Sequence, residues 1–134
     1  MNKTKILVQF SVIYALIGTF LGSHMAGDGS MLFRAIHAHI LVVGWLSLFA
    51  FGIFYAVFAI PKNSKLAKWQ VITALIGSFG LSFGMWMHYF QPAWAPDLFS
   101  LLFYIVGGTI LVISFILFAV IAFYFGDLLK EKQA

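Results

Sequence analysis

An all-α integral membrane protein of four transmembrane helices is the fold class that the sequence predicts, and three observations predict it. First, 63% of the 134 residues are hydrophobic and only 9% are charged, where a soluble domain carries roughly a quarter charged residues. A single small core cannot bury that much apolar surface, so the surplus faces lipid. Second, the apolar residues gather into four stretches, 6–26, 35–60, 69–90 and 98–125, each with the ~20 residues that cross ~30 Å of hydrocarbon as a helix. Third, Lys3, Lys5, Lys62, Lys65, Lys68, Lys130 and Lys132 lie at one set of helix ends and Arg34 alone at the other. By the positive-inside rule both termini are expected in the cytoplasm, N-in and C-in, with the chain a multi-pass protein of the cell's inner, cytoplasmic membrane. The whole chain, 1–134, reads as a single membrane domain. Its formal charge of +4 is scattered over short polar gaps, so the expected partner is the lipid bilayer and no nucleic acid.

The elements follow in order. Stretch 6–26 comes after a basic start and resembles a signal peptide, but it is longer than an apolar region of 7–15 residues and His24 breaks the small-residue cleavage pattern. It therefore reads as a spanning helix. It carries Gly18 and Gly22, a small-residue pair that lets membrane helices approach closely. Stretch 35–60 holds His37 and His39 near its outer end and stops at Pro61. Stretch 69–90 carries a second small pair, Gly80 and Gly84, and ends in Trp86-Met87-His88-Tyr89-Phe90. Stretch 98–125 has no acid or base in mid-membrane. Short gaps between the stretches imply antiparallel neighbours. Cysteine is absent, which excludes disulfides, iron-sulfur clusters, thiolate metal sites and c-type haem attachment.

The four histidines share one depth. Lys5 to His24 is ~28 Å of helix and Lys68 to His88 is ~30 Å, so both chains of residues end near the outer surface, where His37 and His39 also stand. His24, beside a Gly-rich loop, reads as an interfacial residue or as part of a surface zinc site with Asp28 and Asp97. His88 reads as part of an aromatic belt or as a ligand. His37 and His39 lie on a spanning helix, where ionisable side chains serve a ligand, a metal or a proton path. At ~100° per residue their side chains diverge by ~200°, so one ion cannot take both. Imidazole in apolar surroundings without a carboxylate fits haem iron better than a hydrated divalent cation.

At these residues the chain resembles subunit I of the heme-copper oxidase superfamily, including its nitric oxide reductase and C-type oxidase branches. The segment from Arg34 through His37 and His39 to Gly44 looks like the family's Arg-x-x-His and His-x-His haem-ligating helices. Gly80 to Phe90 is similar to its Trp-x-His-His-Met-Phe copper-ligand segment, with Tyr89 in place of the second His. That subunit is three arcs of four helices, with haem-ligating residues on the second helix of an arc. This chain has the length of one arc. The resemblance implies haem b held at His37, His39, His88 and Arg34, with His37 and His39 on the iron and His88 as a further metal ligand. Copper is also a cofactor of the family, although Tyr89 removes one of its ligands. One arc cannot enclose a haem alone, so the resemblance implies a homo-oligomer, expected as a trimer; a quinol or another electron donor would serve as its reductant.

The expected function is that of a membrane-embedded b-type haem protein for electron transfer or small-gas chemistry with O2 or NO. If it turns over a substrate, it is an oxidoreductase. Two other classes compete: a non-catalytic assembly or sensor subunit, and a small bundle transporting protons or metal ions without haem.

Overall fold

The computed structural model describes residues 1–28 and 31–129. Four helices long and apolar enough to cross a membrane account for most of it, and no strand occurs among the described residues. They are α1, Lys3–Asp28; α2, Arg34–Val57; α3, Lys65–Phe90; and α4, Asp97–Tyr124. A short 3-10 turn, Gly126–Leu129, follows α4. At 1.5 Å per residue even α2 measures about 36 Å, enough to span.

The helix ends differ from the apolar stretches, and the reason is capping. Asn2 Oδ1 accepts the Lys5 N–H at 3.0 Å, and Ser64 Oγ accepts the Ala67 N–H at 3.2 Å. Both satisfy donors that a helix start leaves unpaired, so α1 and α3 begin within their lysines rather than at the first apolar residue. In contrast α2 stops short of its apolar stretch: Phe58 is extended, at φ −98° and ψ 141°, ahead of Pro61. Gln91 closes α3 in the left-handed region at φ 45°.

The second helix is also not uniform. Its middle, Ile40–Ser47, is π-helical and follows directly on the α-helical turn and a half Arg34–His39. Its buried positions are Ile36, Ile40, Gly44, Leu48 and Gly52, at a stride of four, together with Phe51. A stride of four drifts by ~40° per step around an α-helix. Bonding i→i+5 puts more than four residues in each turn, so the drift reverses along the π-helical stretch and offsets that of the α-helical parts.

Small residues set the pairing. Backbone lies on backbone between α3 and α4: a Cβ on Gly80 would stand 2.8 Å from the Gly107 Cα, and one on Gly84 would stand 2.6 Å from the Tyr104 Cα. Between α1 and α2 the glycines admit side chains instead, Gly18 facing Leu41 and Gly44 facing the Tyr14 ring. Half of the most apolar window of α3 is buried, against 17% for α1, 28% for α2 and 22% for α4, which makes α3 the central helix. Two apolar clusters join it to the first hairpin. Leu7, Leu48, Phe51, Val71 and Ala74 form one at the lysine-rich end, and Ile36, Ile40 and Met85 form the other at the histidine end.

Candidate functional site

His37 stands on the flank of α2 that meets α1. Its Nδ1 donates to the Gly18 carbonyl at 2.8 Å, and its ring lies over Gly22, where an added Cβ would come within 2.8 Å of Cε1. The small pair on α1 therefore serves the histidine as a cradle as well as the helix contact. His39 Nδ1 donates to the Ala35 carbonyl of its own helix at 2.7 Å. A carbonyl oxygen only accepts, so each Nδ1 carries a hydrogen, and in the neutral ring the lone pair is on Nε2. That second-partner arrangement is the one that fixes ring orientation in metal-ligating histidines. Both rings are half-buried, on an α-helical turn where a spacing of two turns them to opposite flanks.

The other sequence-derived residues lie apart. His88 belongs to the α3–α4 pair, half-buried, with its ring stacked on Tyr104 at 5.9 Å and 23°. His24 is exposed and meets the edge of Phe33 at 6.3 Å. Arg34 is exposed at the start of α2. Among the described residues no three of His, Asp and Glu converge as a metal-binding group, so His24, Asp28 and Asp97 do not make an assembled zinc site. His37 and His39 thus offer donors singly, on two flanks of the helix.

Around the histidine end runs a ladder of aromatic rings. Phe79 stacks on Phe83 at 5.3 Å, Phe83 on Trp86 at 5.4 Å, and Trp86 on Phe90 at 6.4 Å. Between these rings and α1 and α2 lies a cavity of about 280 Å³, walled by Tyr14, Leu21, Ile36, Phe83 and Trp86 among others. None of the histidines lines it. Its lining is almost wholly apolar: Tyr14 commits its hydroxyl to Ser78 Oγ at 3.3 Å, and the Ser82 hydroxyl is buried without a hydrogen-bond partner.

One buried polar cluster escaped the sequence reading. Tyr55 donates to Gln70 Oε1 at 2.9 Å, and Gln70 Nε2 donates to Ser114 Oγ at 3.2 Å. Gln70 is fully buried, and the cluster ties α2, α3 and α4 together at the lysine-rich end. The available signal was Gln70 heading the four-residue series Gln70, Ala74, Ser78, Ser82.

Comparison with protein-family models, curated proteins and solved structures found no match for this chain.

Proposed function

We propose that the chain is a membrane-embedded b-type haem protein for electron transfer or small-gas binding, with His37 and His39 as axial ligands. The observation that carries this reading is the pair of Nδ1-to-carbonyl bonds, 2.8 Å at His37 and 2.7 Å at His39. Each bond holds its ring by Nδ1 and leaves Nε2 as the atom that can ligate. Both rings lie on an apolar spanning helix, where ionisable side chains serve a ligand, a metal or a proton path. Haem bound there would supply a one-electron iron couple. His37 and Gly18 hold one ring at the α1 flank, while His39 presents the other at the opposite flank, open to a neighbouring copy. The proposal therefore includes a cyclic homo-oligomer, a trimer for an arc of this length, in which the two flanks of adjacent chains share an iron. In the cytoplasmic membrane, with both termini inside, a lipid-soluble quinol is the class of reductant within reach.

The test is the absorption spectrum of the purified protein. A Soret band with sharp reduced α and β bands is expected, low-spin and little changed by carbon monoxide. His37→Ala or His39→Ala should abolish or convert this spectrum to a high-spin form, while His24→Ala leaves it intact. A colourless preparation containing no iron would overturn the assignment in favour of a transport or scaffolding bundle.

A further inference from the structure

The lysine-rich end of the molecule carries two adjoining cavities. One, of about 490 Å³, is lined by Asn2, Lys3, Thr4, Tyr55, Lys62 and Asn63 among others. The second, of about 350 Å³, shares Lys3, Lys62 and Asn63 and adds Ser64, Lys65 and Lys68. Lys3 Nζ donates to the Lys62 carbonyl at 2.8 Å, tying the start of α1 to the loop after α2. An ammonium has three donors, so that bond leaves Lys3 two more to offer. Lys3, Lys62, Lys65 and Lys68 thus line one hollow together with Met1, and no carboxylate is among its lining residues. Like charges gathered in this way repel unless an anion lies between them.

Depth and surroundings identify the anion. Lys3 opens α1 and Lys65 opens α3, which puts the hollow where the spans leave the hydrocarbon. Its wall is partly apolar, from Ile60 and from the Tyr55 ring, whose hydroxyl is committed to Gln70. In the same half of the molecule α2 and α4 enclose a groove of about 560 Å³ lined only by apolar residues, Phe54, Phe58 and Phe118 among them. A free ion would use the cations and ignore the groove. Basic hollows between spanning helices are suited to anionic lipid headgroups, and a phospholipid uses both features.

We propose that this hollow binds the phosphate of an anionic phospholipid from the leaflet on the lysine-rich side. Lys3 and Lys62 hold the phosphate, Lys65 and Lys68 close its outer side, and Asn63 donates from its amide. The acyl chains lie along the apolar flank of α2. The proposal is independent of the haem assignment.

The full chain, reconstituted in phosphatidylcholine vesicles, is probed with trace spin-labelled phosphatidylglycerol and, separately, spin-labelled phosphatidylcholine. The motionally restricted fraction should favour phosphatidylglycerol, and the double variant K3Q/K62Q should lower that preference by roughly tenfold. K130Q/K132Q removes the same charge from the tail and should leave the preference unchanged. Should K3Q/K62Q fail to fold, K65Q/K68Q tests the same hollow without touching the Lys3 bond, with the same fall expected. Equal losses in the hollow and tail variants would reduce the effect to diffuse surface charge and overturn the proposal. Displacement of the labelled lipid by inorganic phosphate would assign the hollow to a small anion and overturn it as well.

Discussion

A methyl group on Gly22 would meet the His37 ring at Cε1, 2.8 Å away, and no backbone atom as closely. Gly22→Ala therefore displaces a side chain rather than a helix. Alanine favours a helix by ~1 kcal/mol over glycine, so the fold tolerates the change, while the ring is pushed off its bond to Gly18. Loss of such an orienting partner costs roughly 10–100-fold in metal affinity. Haem retained per chain should fall by that factor at limiting haem, with the far-ultraviolet dichroism unchanged; full retention would show that the Gly18 bond does not orient a ligand. At this scale the sequence made the histidines legible, because an imidazole in a spanning helix is costly without a use. It also marked Gly18 and Gly22 as a small pair. What it could not show is that His37 lies over that pair, because the contact depends on the register between two helices 19 residues apart in the chain. Gln70 shows the opposite case. A lone amide in an apolar span is visible in sequence, but its partners Tyr55 and Ser114 come from two other helices.

The existence of all four spans was legible from length and composition, since nothing else makes such apolar stretches soluble in a bilayer. Their ends were less so, because Asn2 and Ser64 extend helices past the apolar residues and Phe58 ends one before them. The π-helical stretch of α2 was legible only in retrospect, as the stride of Ile36, Ile40, Gly44, Leu48 and Gly52. That stretch sets the phase of the histidine turn against the inner half of the helix. Ser47 Oγ donates to the Val42 carbonyl, five residues back, at 2.8 Å, so the wider turn also satisfies a hydroxyl. Deleting Val42, which is exposed toward lipid, removes the residue that the wider winding accommodates. The stretch should then close as an ordinary α-helix, which changes the phase of the His37 and His39 turn relative to Leu48 and Phe51. We expect the deletion variant to insert and stay helical, with its Soret absorbance per chain near background. An undiminished Soret band would mean that the π winding has no part in placing the ligands.

At the scale of the whole molecule, two features decide how copies assemble: which way the chain lies, and which flanks stay open. Seven lysines mark one set of helix ends and Arg34 the other, so a reporter fused after Pro92 should read as exported and one after Leu129 as cytoplasmic. The reverse pattern would invert the histidine layer to the inner surface. The hairpin α1–α2 uses one flank of the histidine turn, through Gly18 and Gly22, and leaves His39 bonded only to its own helix at Ala35. A low-spin b-type haem site with bis-imidazole ligation needs two imidazoles, and those of His37 and His39 point to opposite flanks. In the proposed closed ring, His37 of one chain and His39 of the next would meet at each interface, and all interfaces would be equivalent. The expected stoichiometry is one haem per chain, three in a trimer. Mixing His37→Ala and His39→Ala chains in one membrane tests this directly. Where a chain with its His37 meets a chain with its His39, both ligands face one iron, and the low-spin spectrum returns in part although each variant alone lacks it. Co-purification through a tag on one variant confirms that the two are in the same oligomer. If mixed oligomers form and the spectrum stays absent, ligation lies within one chain, and the second imidazole must come from His88 on α3.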